Sequence, residues 1–228
     1  MPTRFAFLKA ALFALPFALS ACATPNDAKM EETEATASTK STLSTKSPRM
    51  RWDHRPEATK WTTSALTALR THGAVLPSMV PADIETWCPG YVTASQEDRE
   101  AFWVGLISAL AKHESTWNPS AVGGGGLWFG LVQIAPPTAR GYGCKANSGS
   151  ALKNGADNVS CAIRIMAHTV PRDGVVSQGM RGVAADWGPF HSAAKRADMI
   201  AWTRAQPFCE AKPQTIRAQM LDRLKKDG

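Results

Sequence analysis

A single, mainly α domain is what this sequence predicts, and three observations predict it. Apolar residues recur at helical steps of three and four along several stretches. No sustained apolar–polar alternation marks a strand series, and no internal repeat is present. Residues 51–228 carry enough Trp, Leu, Ile and Phe to build one core of ordinary size.

The helices follow in chain order. One runs from Pro56 or Glu57 to His72, with proline near its start and Gly73 at its end. A second starts after Ser95, where Ser95 and Asp98 make a capping box, and ends near Ser115. Ala121 to Gly130 reads as loop, and Leu131 to Ile134 as a short strand or turn. A short helix begins at Pro136-Pro137-Thr138. Further helices are expected over Val159–Thr169, Val175–Ala185, His191–Thr203 and Pro213–Lys226.

The first 21 residues have the grammar of an export signal. Arg4 and Lys9 supply positive charge, Ala10 to Leu19 form a short apolar core, and small residues precede Cys22. Pro16 interrupts a run that is already too short for a membrane span of about 20 residues. Leu19-Ser20-Ala21-Cys22 resembles the bacterial lipobox, which implies cleavage before Cys22 and lipidation of that residue. Ala23 stands where many inner-membrane lipoproteins carry Asp, so the expected location is the periplasmic side of the envelope, outer membrane before inner. Residues 22–50 are rich in Thr, Ser, Ala, Glu and Lys, and read as a flexible linker behind the anchor. The formal charge of +7 falls by two, to +5, once Arg4 and Lys9 are removed. That suits an anionic partner such as cell-wall polymer or lipid head groups. No nucleic-acid motif is present, and the export signal argues against that partner.

Setting Cys22 aside leaves Cys88, Cys144, Cys161 and Cys209, an even set suited to two disulfides in an oxidising compartment. Three pairings can be drawn. The favoured one joins Cys144 to Cys161, locally, and Cys88 to Cys209, tying the start of the domain to its end. The rivals are a metal site, which lacks any C-x-x-C or paired-His spacing, and a catalytic thiol at Cys161. No metal or cofactor is called for.

Glu114 is the residue with chemistry. Trp103, Ile107, Leu110 and Glu114 fall on one helix face, so this carboxyl points where core residues point. Burial favours its protonated form, and a carboxylic acid that keeps its proton near neutral pH can act as a general acid. His113-Glu114 does not begin a zinc-protease motif, because H-E-x-x-H requires histidine where Trp117 stands.

Three ordered elements carry a resemblance. Glu114-Ser115 with Asn118-Pro119, then Gly130-Leu131-Val132-Gln133-Ile134 with Thr138-Ala139, then Asn158-Val159 with Ala162 and Met166, resemble the core of the SLT lytic transglycosylases. The resemblance covers roughly residues 101–189 and implies an α+β, lysozyme-like fold. It implies cleavage of the β-1,4 bond between N-acetylmuramic acid and N-acetylglucosamine in peptidoglycan, with 1,6-anhydromuramoyl ends. Glu114 would be the sole acid and base, with Ser115, Val132 (through its backbone), Gln133 and Asn158 as substrate-binding positions. The partners implied are peptidoglycan strands, and proteins of the cell wall or of a secretion complex.

The chain departs from that pattern in two places. Val132 replaces the family's Met. The late Ala-Tyr-Asn-Ala-Gly-Pro motif becomes Ala185-Asp186-Trp187-Gly188-Pro189, without its tyrosine. Tyr142 or Trp187 could fill that space, Asp186 could add a carboxylate, and Trp128 could stack on a sugar ring. Two alternatives therefore stay open: a lysozyme-type hydrolase assisted by Asp186 or Asp157, and a non-catalytic glycan-binding protein. The glycines at 123–126 are expected to form a mobile edge to the cleft.

Overall fold

In the computed structural model, the described residues are 47–211 together with 220, 221, 223 and 224. Along the chain come α1 (Ala58–Leu69), α2 (Val75–Ser78), α3 (Ile84–Trp87) and α4 (Gln96–Ser115). The hairpin of β1 (Val122–Gly123) and β2 (Trp128–Phe129) follows, then α5 (Pro136–Gly141) and α6 (Gly155–Asp173). A second hairpin of β3 (Ser177–Gln178) and β4 (Arg181–Gly182) leads to α7 (Ala193–Arg204). The expected signal segment, Cys22 and most of the linker lie outside the described residues. So does most of the expected Pro213–Lys226 helix, of which Met220, Leu221, Arg223 and Leu224 are helical.

Helix α4 organises the core. Ser95 caps it, its hydroxyl accepting the Asp98 N–H at 3.2 Å. At the other end Thr116 turns left-handed, with φ 50°, and the Thr116 and Trp117 amides both donate to the Ala111 carbonyl. Every residue from Ala101 to Ala111 is buried. The one-faced stripe read from the sequence is thus too narrow, because α1, α2 and α7 all pack on α4. A helix wrapped on all sides is apolar on all sides.

Helix α6 packs along α1. Asn154 caps it, its side-chain oxygen accepting the Ala156 and Asp157 amides at 3.0 and 3.4 Å, and Gly174 ends it with φ 71°. The helix expected over Val175–Ala185 is instead the β3–β4 hairpin with a 3-10 turn at Val183–Ala185. Asp83 holds the Val176 and Ser177 amides at 2.6 and 2.9 Å, and Asp173 holds that of Gly182 at 2.7 Å. These carboxylates take amides a helix would use internally, and positive φ at Gly179 and Gly182 completes the turn.

Both expected disulfides are formed, Cys88–Cys209 and Cys144–Cys161, with Cα separations of 4.7 and 5.2 Å. Beside the first, the Gly90 amide donates to the Cys209 carbonyl at 2.9 Å. Met50, the last position of the expected linker, and Trp52 are both buried in the core. Among the described residues no helix is long and apolar enough to cross a membrane.

Candidate active site

Glu114 sits in the last turn of α4, and its side chain lines a cavity of about 360 Å³. The cavity is shared with His113, Trp128, Gln133, Asp186, Trp187 and Lys195. The carboxyl is half-buried and has no hydrogen-bond or ion-pair partner among the described residues. Burial pushes its pKa up to about 7, with the nearby Lys195 charge pulling the other way. The negative end of the α4 dipole also disfavours an anion at this position. A carboxyl raised this far keeps its acid form accessible near neutral pH.

Ser115 faces a different neighbour. Its hydroxyl donates to the Leu131 carbonyl at 2.8 Å and stitches the end of α4 to the loop at 130–133. That loop has an unusual backbone: Gly130 and Gln133 both take positive φ, 84° and 49°. A Cβ at Gly130 would strike the Leu152 carbonyl and the Asn158 side chain, so only glycine fits there. A non-glycine residue held left-handed beside a cleft is a position that the surroundings must enforce. Paired hydrogen bonds of 3.0 Å between Phe129 and Ile134 close the loop.

Asn158, on α6, does most of the enforcing. It is fully buried, and its carbonyl accepts the Val132 amide at 3.0 Å. Its own amide donates to the Phe129 and Leu152 carbonyls, both at 3.0 Å. The Val132 carbonyl in turn accepts the indole N–H of Trp187 at 2.8 Å. Both polar backbone groups of Val132 are engaged within the protein. Gln133 donates its side-chain amide to the Gly130 and Ala121 carbonyls at 2.8 and 3.3 Å, and its carbonyl oxygen has no partner among the described residues.

Trp128 stands at the mouth, 46% exposed. The glycine run beneath it divides in two. A Cβ at Gly124 would strike the Trp128 ring and one at Gly123 the Gln133 side chain, whereas Gly125 and Gly126 face open space. The first two glycines are thus required by packing against the site, and the last two only by their turn.

The far wall comes from the segment that departs from the expected motif. Trp187 is buried beside Asp186, whose carboxyl accepts the Tyr142 hydroxyl at 3.4 Å. Burial raises the Asp186 pKa, while Tyr142 and Arg172 hold it down. Tyr142 is raised as well, by burial and then by Asp186. Asp157, the other candidate for a second carboxylate, lines a different cavity.

Beside Glu114, His113 reaches Asp198 at 2.7 Å, and Asp198 also binds Lys112 at 3.0 Å and Arg51 through both oxygens at 2.7 and 2.9 Å. The Arg51 guanidinium, with Lys112 and His113, holds the Asp198 carboxyl well below the usual range. The imidazole of His113 is lowered by burial against the opposing pull of Asp198. Sequence reasoning missed Lys195 and Asp198. Both lie on α7, and no local pattern announces that this helix packs on α4. Among the described residues no group of three or more His, Cys, Asp or Glu could hold a metal ion.

Residues 92–176 match the family model described as the transglycosylase SLT domain. That span holds Glu114, Gln133 and Asn158, but not Asp186, Trp187 or Lys195. Solved structures of Bd0314 DslA share the fold. A Glu-to-Gln mutant aligns with a TM-score of 0.64 at 25% identity, over 69% of this chain and 95% of that one. A second Glu-to-Gln mutant gives 0.64 at 25% identity, over 72% and 99%. Wild-type form 2 gives 0.62 at 24% identity, again over 72% and 99%. No curated protein matches the chain significantly. With Glu114 closing the central helix and the Gln133 loop pinned by Asn158, residues 92–176 are similar to the transglycosylase SLT domain, and the described residues adopt a lysozyme-like, mainly helical fold.

Proposed function

We propose that the protein is a lytic transglycosylase that cleaves the β-1,4 bond between N-acetylmuramic acid and N-acetylglucosamine in peptidoglycan. The observation that carries the reading is Glu114: half-buried, without a partner among the described residues, raised to about 7, and lining a cavity of about 360 Å³ beside an exposed Trp128. Glu114 in its acid form protonates the leaving oxygen as the bond to C1 breaks, and the substrate's N-acetyl group stabilises the charge at C1. The carboxylate so formed takes the proton from the muramoyl C6 hydroxyl, whose oxygen bonds to C1 and closes a 1,6-anhydro ring. The proton given in the first step is recovered in the second, so one carboxyl serves twice. Trp128 offers a face for a sugar ring, and the Gln133 carbonyl oxygen an acceptor for an N-acetyl N–H. Asn158, Val132 and Ser115 act through the loop they hold.

A second reading, hydrolysis, draws support from Asp186, a further carboxylate on the same cavity wall. A paired carboxylate can activate water. Mass spectrometry of digested sacculi separates the two. Predominantly 1,6-anhydromuropeptides are expected; reducing ends would assign the hydrolase. Glu114→Gln is expected to abolish either product, and wild-type rates in that variant would overturn the enzymatic reading. Asp186→Asn lowers the rate sharply only if Asp186 activates water.

The same proposal places the protein on the periplasmic face of the envelope through lipid on Cys22, outer membrane before inner. It is supported by the Leu19-Ser20-Ala21-Cys22 sequence. Metabolic labelling with a fatty acid is expected to mark the wild type and not Cys22→Ser; equal labelling of the two would exclude the anchor.

A further inference from the structure

A second polar cavity lies away from Glu114, about 210 Å³ in volume and sharing no lining residue with the first. Asp157, Ser160 and Arg164 line it from α6, His72 from the segment after α1, and Lys145 from the loop after α5. The Cys144–Cys161 disulfide forms part of its wall and fixes the loop carrying Lys145 to α6.

The pairing within this cavity is incomplete. Lys145, Arg164 and Asp157 line one space, yet none has a salt-bridge partner or a side-chain hydrogen bond among the described residues. A helical serine commonly donates to the carbonyl four residues back. Here that carbonyl, on Ala156, already accepts the Ser64 hydroxyl at 2.7 Å. The Ser160 hydroxyl has no hydrogen-bond partner among the described residues. His72 bonds the Ser160 carbonyl at 3.0 Å through Nε2, which must therefore carry the hydrogen.

We propose that this cavity binds a zwitterionic α-amino-acid group, its carboxylate between Lys145, Arg164 and the Ser160 hydroxyl, its ammonium against Asp157. Two cations and one anion held apart around one space suit a ligand that carries an ammonium and a carboxylate on one carbon. A simple anion would leave Asp157 facing a like charge, and a simple cation would meet Lys145 and Arg164. A guanidinium matches a carboxylate through paired N–H bonds, which gives the binding an orientation. The cross-linking peptides of peptidoglycan carry such groups when their amino-acid ends are free. That choice of natural source rests on the function proposed above; the binding itself does not.

The test is a titration of the intact folded protein with meso-diaminopimelic acid, followed by amide NMR shifts or calorimetry. The controls are its N,N′-diacetyl derivative and inorganic phosphate. Saturable binding of the free amino acid is expected, with shifts at Ser160 and Arg164, and at least tenfold weaker binding of the diacetyl form. Arg164→Gln and Asp157→Asn should each weaken it at least tenfold and leave cleavage of peptide-free glycan unchanged. Equal binding of the diacetyl form or of phosphate, with no effect of Asp157→Asn, would replace the zwitterion site by a plain anion site. Absence of saturable binding overturns the proposal while leaving the Glu114 chemistry untouched.

Discussion

Lys195 on α7 and Glu114 at the end of α4 line one cavity, and the lysine charge opposes the burial that raises the glutamic acid pKa. Removing the lysine leaves burial unopposed, so the Glu114 pKa rises further. The proton needed for the first step is then retained to higher pH. Lys195→Met is expected to move the alkaline limb of the kcat profile upward by ~0.5 pH unit, the size of a solvent-screened charge interaction. A limb that stays in place or moves down would remove Lys195 from the electrostatics of the site.

Glu114 also makes a prediction about stability. Its folded pKa, about 7, lies above the ordinary value of 4.5, so its contribution is full below pH 4.5 and is lost as pH rises through 7. Glu114→Gln keeps the shape and removes the charge. The variant should match the wild type at pH 4 and exceed it at pH 8.5 by about 1–3 kcal/mol, given partial exposure. Denaturant midpoints at the two pH values measure this directly; equal gaps at both would contradict the raised pKa.

Asn158→Ala deletes three hydrogen bonds at a fully buried position and takes their partner from the Val132 amide and the Leu152 carbonyl, while the Phe129 carbonyl keeps the Ile134 amide. The expected loss is about 2–4 kcal/mol in chemical denaturation. Because the loop carrying Gln133 loses its anchor, cleavage should fall about tenfold or more even where the protein remains folded. A stable variant with normal activity would show that the loop holds itself.

Gly124→Ala tests the hairpin beneath Trp128. The added methyl meets the indole and also sits at φ 56°. Displacing the ring should raise KM for glycan about threefold to tenfold, with a change in tryptophan fluorescence. Gly125→Ala adds a methyl facing open space, so it should alter stability by about 1 kcal/mol and KM little.

The legibility of the fold followed the range of the interactions. Ser95 capping α4 and the disulfide partners were readable, because a cap is local and cysteines are few. The β3–β4 hairpin was misread as helix because the group that fixes it, Asp83, lies far upstream and acts through space on the amides of Val176 and Ser177. Glu114 was identifiable from its motif, but its burial comes from the cavity walls and not from the stripe on α4. Lys195 and Asp198 were invisible, since a surface-looking helix gives no sign of which residues face a cleft. The left-handed Gln133 was equally hidden, for nothing in a glutamine announces positive φ.

Opening the Cys88–Cys209 bond should cost about 3–5 kcal/mol, as expected for a link spanning 121 residues, and Cys88→Ala/Cys209→Ala double substitution measures it by thermal unfolding.

The same bond makes the chain a covalent ring from position 88 to position 209, and the exposed hairpin tip at Gly125 and Gly126 lies inside it. A protease that cuts the tip therefore opens the backbone without releasing a fragment. The nicked molecule keeps Glu114 on one side of the cut and Gln133 and Asn158 on the other, still tethered. Damage at this exposed loop becomes survivable, and it shows as two bands only after reduction.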